Sequence, residues 1–182
     1  MAQNIIGILG RSRVGKDTTA HILRDELYKI TKPTFEIRHI AKPLKDSIMT
    51  MYHFTEEQMH GNMKDVVDLR YGHSPRELCG IWNHKLSHLH GPRFLIHRFF
   101  EIHTPIEFTN LIIPDVRFCH DCYEIRRRGG ILIKMVREKF PLQLEDEKHI
   151  DGLSGDVTIS NDEDIESLQN KIKEHVLPLI KT

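Results

Sequence analysis

Two glycines five residues apart and followed at once by lysine, in Gly10-Arg11-Ser12-Arg13-Val14-Gly15-Lys16, constrain this chain more than any other stretch. Glycines at that spacing let a short loop turn its backbone N–H groups inward around a polyphosphate. The lysine then reaches the β and γ phosphates as a mobile point charge. The flanks supply the context such a loop needs. Asn4-Ile5-Ile6-Gly7-Ile8-Leu9 reads as a short buried strand, and Thr18 to Ile30 carries apolar residues at 20, 22, 23 and 27, which suits a helix. A helix starting behind the loop adds the partial positive charge of its N-terminus to the anion site. Strand, glycine loop and helix together favour a nucleotide-phosphate site over an ordinary glycine turn.

The rest of the chain repeats the alternation of strand and helix. Phe35 to Ile40 alternates apolar and polar residues, Leu111-Ile112-Ile113-Pro114 is a buried strand ending at Asp115, and Ile131 to Val136 and Asp156 to Ser160 are two more. Helices are expected over 44–52, over 118–128 up to Gly129-Gly130, and from about Ile165 to Leu177. A helical, polar stretch over about 54–105 is broken into pieces by Gly61, Gly72, Gly80 and Gly91. The expected fold is α/β: one domain over 1–182 with a parallel sheet flanked by helices, ligands at the carboxyl ends of its strands, and a helical insertion at 54–105. A chain of 182 residues is long enough for one such domain.

Composition narrows the function classes. Up to residue 141 the chain has 22 Lys and Arg against 16 Asp and Glu, and beyond it 4 against 10, so a basic body precedes an acidic tail. A formal net charge of +0 suits phosphorylated small substrates better than long nucleic acid, which demands a strongly basic domain. The tail reads as a solvated helix face. No apolar run approaches the ~20 residues of a membrane helix. The first four residues lack the basic start of a secretory signal, which implies a cytoplasmic protein. A homodimer is compatible with the sequence.

Several residues are candidates for chemistry. Asp115 follows a buried strand and either faces the ligand crevice or caps the next helix; Arg117 and Asp121 follow it. Lys42, Lys45, Arg70, Arg76, Arg93, Arg98 and Arg126-Arg127-Arg128 could meet a substrate phosphate, although most read as surface charges, and the 126–128 run suits a helix C-terminus. Cys119 and Cys122 lack the further ligands zinc requires. His84, His88 and His90 read as a polar face rather than a metal site, and Trp82, Phe94, Phe99 and Phe100 as core rather than a base-stacking platform. No directly bound metal is expected.

The chain resembles the phage-type deoxynucleoside monophosphate kinases, which are also found in large DNA viruses. The resemblance is carried by Gly15-Lys16-Asp17-Thr18-Thr19-Ala20, His39-Ile40-Ala41-Lys42-Pro43-Leu44-Lys45-Asp46, Ile113-Pro114-Asp115-Val116-Arg117 with Asp121, Val136-Arg137, and Asp156 to Asp162 before a closing helix. Ser74-Pro75-Arg76-Glu77-Leu78 is similar to the family's arginine-bearing helix start. Asp17 stands where switch GTPases place a hydroxyl, and lysine, a non-hydroxyl residue, then threonine is what many nucleoside monophosphate kinases show. The resemblance implies a P-loop kinase fold with a helical substrate-binding or lid region. It implies ATP as co-substrate and Mg²⁺ reached through phosphates, Asp17 and Thr18. In its terms Arg13, Gly15, Lys16, Asp17, Thr18, Thr19 and Arg137 bind ATP, while Lys42, Arg76, Asp115, Arg117 and Asp121 bind a nucleoside monophosphate. Lys16, Arg76 and Arg117 would carry catalysis, since phosphoryl transfer is mainly positioning and charge neutralisation. If the chain is viral, host cytoplasm is its expected place. Animal-type phosphomevalonate kinases share a similar Gly-Lys-Asp loop, so a phosphorylated metabolite is the alternative acceptor. A non-catalytic nucleotide-binding regulator is the alternative from another class.

Overall fold

The computed structural model describes residues 4–30, 34–103, 110–138 and 147–180. The expected end of the helical stretch at about 105 lies outside them. Contacts divide the chain into two compact units, residues 1–39 with 99–182, and residues 40–98.

The first unit is built on five parallel strands: β1 (Ile5–Leu9), β2 (Phe35–Ile37), β3 (Asn110–Val116), β4 (Ile131–Val136) and β5 (Val157–Ser160). Their spatial order is β2-β3-β1-β4-β5, with β1 at the centre. Parallel neighbours need crossover connections, and here these include α1 (Lys16–Ile30) and α6 (Cys119–Arg127). All five β1 residues are buried, as expected for a strand covered on both faces. Ile6 and Ile8 point to one face, where they pack with Ala20, Leu23 and Leu27 of α1 and with Leu168 and Ile172 of α8 (Ile165–His175). Gly7 points to the other face, where a Cβ would press on Ile125 of α6. Glu26 is buried between α1 and α8, yet Lys29 and Gln169 donate to it and Lys173 lies near, and these partners hold its carboxyl below the usual range.

All five strands expected from the sequence are present, with two shifts that bear on function. Helix α1 begins at Lys16 rather than Thr18, so the loop lysine is its first residue. Strand β3 runs on through Pro114 and Asp115 to Val116 instead of ending at Asp115. Its register with β1 slips between the Gly7–Ile113 and Leu9–Val116 pairs, and this irregular place accommodates a proline that has no N–H for the ladder. Helix α6 ends at Arg127 and α8 at His175.

The second unit is helical. It holds α2 (Lys42–Tyr52), α3 (Glu56–Met59), α4 (Pro75–His90) and the first half of α5 (Phe94–His103). Ser74 caps α4 through the Glu77 N–H, while the Glu77 carboxylate receives the Ser74 N–H and Pro75 fixes the first turn. Leu44, Ile48, Phe54, Met59 and Leu78 form its core, with Trp82 packed against them and donating to the Tyr52 hydroxyl. Trp82 is thus partly buried against that core, and Phe99 and Phe100 in the first unit are fully buried, as read from the sequence. Among the described residues no helix is long and apolar enough to cross a membrane.

Ile133 of β4 lies in the first unit's core with no exposed surface. Ile133→Ala should cost about 2–5 kcal/mol of stability, which urea unfolding followed by circular dichroism would measure.

Candidate active site

A parallel sheet whose order reverses at its central strand opens a crevice beyond the strands' carboxyl ends. In this sheet β1 lies between β3 and β4, and the glycine loop leaves β1 at that point. Gly10 has φ +148° and a Cβ there would sit 2.5 Å from the Met135 carbonyl oxygen, so the residue must be glycine. At Gly15, with φ +93°, a Cβ would run into the amide of Asn161. That amide donates to the Val14 carbonyl at 3.0 Å, pinning the loop to the end of β5.

Lys16 is buried, with its side chain folded back under the loop. Its ammonium donates to the carbonyls of Gly10 at 2.8 Å and Arg11 at 2.6 Å. Burial, with a smaller push from the Arg117 guanidinium, lowers its pKa to about 8, against the opposing pull of Glu147, Asp17 and Asp115. Arg117, Glu147, Asp17 and Asp115 are therefore the charged groups nearest to Lys16 at this edge of the sheet. Asp17 and Thr18 are exposed at the start of α1, with Asp17 3.0 Å from His39 Nε2. Thr19 is turned inward, its hydroxyl against the Met135 sulfur, and Arg13 is exposed with φ +63°.

At the end of β3 the structure resolves the two readings of Asp115. It lies inside the strand and does not cap α6; the N-cap position belongs to Phe118. Asp121 does the capping work from within the helix, its carboxylate receiving the N–H groups of Arg117 at 3.2 Å and Phe118 at 3.0 Å. Burial pushes the Asp121 carboxyl up to about 7 despite those bonds. The Arg117 guanidinium donates to Glu147 at 3.0 Å, and the other oxygen of Glu147 accepts the backbone N–H of Ser12 at 2.7 Å. Phe118 is stacked between the rings of His120 and His149.

Of the residues expected to act, the structure brings Lys16, Asp17, Asp115, Arg117 and Asp121 into one connected group, and Arg137 follows the neighbouring strand β4. Lys42 and Arg76 belong to the second unit, where Lys42 pairs with Asp46 at 2.7 Å and Arg76 pairs with Asp65. Glu147 was not legible as a site residue. It sits in an acidic run, Glu145-Asp146-Glu147, that resembles any solvated tail. Nor is the tail merely a solvated face: Asp151 pairs with Arg11, and Asp156 accepts the Leu132 N–H and pairs with Arg126. Cys122 is buried with its thiol pushed up to about 11, which leaves it little thiolate, while Cys119 is exposed. Among the described residues no three His, Cys, Asp or Glu gather to hold a metal ion. Asp17 and Thr18, which follow Lys16 in the chain and are exposed, carry a carboxylate and a hydroxyl, hard oxygen donors of the kind that suits Mg²⁺.

No protein-family model matches the chain. A curated viral protein described as "Putative deoxynucleotide monophosphate kinase", from Acanthamoeba polyphaga mimivirus, is 27% identical over 190 aligned positions, covering 92% of this chain and 93% of the relative. It bears out the resemblance read from the motifs. Among solved structures, the Mycobacterium tuberculosis APS kinase CysC, as a cysteine-to-alanine mutant, is 11% identical with a TM-score of 0.48, covering 94% of this chain and 95% of that one. A protein titled a putative kinase, from Chloroflexus aurantiacus j-10-fl, is 12% identical with a TM-score of 0.47 and 96% of each chain covered.

The raised Asp121 carboxyl makes stability depend on pH. Its folded pKa of about 7 exceeds the ordinary 3.8, so between those values the folded chain binds more protons than the unfolded one. Its contribution is fully present below about pH 4 and is lost as pH rises toward 7. Asp121→Asn removes this titration, and urea midpoints measured from pH 5 to pH 8 should fall less in the variant than in the wild type.

Proposed function

We propose that this chain, similar over nearly its whole length to a viral deoxynucleotide monophosphate kinase, transfers the γ-phosphoryl group of ATP to a deoxynucleoside 5′-monophosphate. A phosphate oxygen of the acceptor would attack the γ-phosphorus, and the bond from that phosphorus to the β–γ bridging oxygen would break, giving the diphosphate and ADP. The observation that carries the reading is the pairing of two cations at the carboxyl edge of β1 and β3. Lys16 lies buried under a phosphate loop, and the Arg117 guanidinium stands close enough to depress its pKa. One cation faces a donor and the other can face an acceptor, which is what in-line transfer between two phosphates requires.

In this reading Lys16 neutralises charge on the β and γ phosphates, and the loop N–H groups and α1 N-terminus hold the remaining oxygens. Asp17 and Thr18 would hold Mg²⁺ together with the phosphates, and the metal would supply charge neutralisation across the β and γ oxygens. Arg13, Gly15, Thr19 and Arg137 complete the donor side, Thr19 by packing beneath the loop. Arg117 grips the acceptor phosphate with Asp115 beside it. Asp121 acts through Arg117, because its carboxylate fixes the backbone from which that guanidinium projects. Lys42 and Arg76 are assigned to the acceptor on the sequence resemblance. An ATP-consumption assay over deoxynucleoside monophosphates, ribonucleoside monophosphates and phosphomevalonate tests the reading. Turnover confined to phosphomevalonate, or absent with every acceptor, would overturn it.

Two substitutions separate the roles. Lys16→Ala should lower turnover by roughly 10³ or more while the chain stays folded, since one charge-stabilising cation is worth about that much in phosphoryl transfer. Arg117→Ala should raise the KM for the monophosphate, or depress kcat, far more than it alters the KM for ATP. Steady-state kinetics with each substrate varied in turn distinguishes the two patterns.

A further inference from the structure

A backbone N–H and a guanidinium of the glycine loop are engaged by carboxylates of this same chain. Glu147 places one oxygen on the Ser12 backbone N–H at 2.7 Å and the other on the Arg117 guanidinium at 3.0 Å, and its side chain is only 7% exposed. Four residues on, Asp151 takes the Arg11 guanidinium through both of its oxygens. Glu147 is the N-cap of the short helix α7 (Lys148–Asp151), and Asp151 is its last residue. The segment is fastened further by Lys134 of β4, whose ammonium donates to the carbonyls of Asp151 at 2.8 Å and Leu153 at 2.7 Å. His149 adds a contact of 3.0 Å between its Nε2 and the Arg117 carbonyl.

We infer that Glu147 and Asp151 form an internal phosphate mimic, which an incoming polyphosphate must displace, so that donor binding releases Arg117 for the acceptor. A carboxylate offers two oxygens in the arrangement of two phosphate oxygens, and Glu147 binds what a phosphate would bind: a loop N–H and a guanidinium. One N–H makes one strong hydrogen bond, so Glu147 and a phosphate oxygen compete for Ser12. The two anions also repel, and beside a buried site that repulsion is screened little. Glu147 compensates the Lys16 charge that the loop buries, a task the phosphates take over when they bind. Because the same carboxylate holds Ser12 and Arg117, its displacement from one weakens its hold on the other. Donor and acceptor sites are thereby coupled through a single side chain, with the donor binding first.

The inference rests on the phosphate-loop reading proposed above, and the experiment separates the two. Inorganic tripolyphosphate is titrated calorimetrically into the wild type and Glu147→Gln, which keeps the side-chain shape and removes the charge. The variant should bind roughly fivefold tighter or more, the lower range of ordinary coupling between sites. Asp151→Asn should shift affinity in the same direction by less, since Asp151 is largely exposed. If Glu147→Gln does not fold, Glu147→Asp serves instead: it withdraws the carboxylate by one methylene and should also bind tripolyphosphate more tightly. Equal or weaker affinity in a folded variant, with the wild type binding, overturns the inference alone. Binding by neither protein overturns the inference and the phosphate-loop reading together.

Discussion

A protonated amine buried at the mouth of the central strand is the constraint on which this architecture depends. Removing an ammonium from water costs several kcal/mol unless acceptors surround it, and the loop supplies two of its own carbonyls to Lys16. The loop can curl tightly enough to present them only because Gly10 and Gly15 adopt backbone conformations and approaches closed to other residues. Asn161, reaching from the end of β5 to the Val14 carbonyl, then holds that curl in place. The depressed pKa of Lys16 is the residual cost of this arrangement. It is tolerable because acids from three other places, Asp17, Asp115 and Glu147, return part of the lost solvation.

The sheet explains why those acids converge. With β1 central and β3 and β4 on either side, the carboxyl ends of three strands open at one edge. Asp115 and Arg117 arrive there because β3 continues through Pro114, and Asp121 keeps the turn after β3 rigid by taking two backbone N–H groups. A buried carboxylate used for this purpose is a compromise. Its hydrogen bonds favour the charged form and its burial the neutral one, and burial prevails. The position of Arg117 is consequently tied to a group that titrates near neutrality.

Most of the frame could be read in the sequence, because its signals are local. The glycine-lysine loop, five apolar strand segments and the helices between them follow from periodicity and breakers, and each is present. The departures have physical causes. Strand β3 is expected from the sequence to end at Asp115, and it runs on to Val116 because an irregular register accommodates Pro114, which cannot donate to the ladder. Thr19 follows the loop lysine, and the helical phase, which the motif alone does not give, turns its hydroxyl inward against Met135. Asp115 could have been a cap until the strand was seen to include it. Glu147 could not have been singled out, since its partners lie 135 and 30 residues away and nothing in an acidic run marks one carboxylate from the next.

The charge asymmetry along the chain acquires a meaning from these contacts. A basic body and an acidic tail that cancel overall would be unremarked if both were solvated, but several of the tail's acids return to the body. Glu147 meets Arg117 and Ser12, Asp151 meets Arg11, Asp156 meets Arg126 and the Leu132 N–H, and Asp162 accepts the Glu138 N–H. The more exposed of these pairs, Asp151 with Arg11 and Asp156 with Arg126, contribute little individually to stability. Their value lies in position: two of the four cover the groups that an anion would seek. A loop that concentrates positive potential attracts any phosphate, whereas one whose donors already serve a tethered carboxylate admits only an anion able to outcompete it. A polyphosphate, with several charges and many oxygens, meets that condition more readily than a monophosphate. On the phosphate-mimic reading proposed above, the tail would favour a polyphosphate over a monophosphate at the loop.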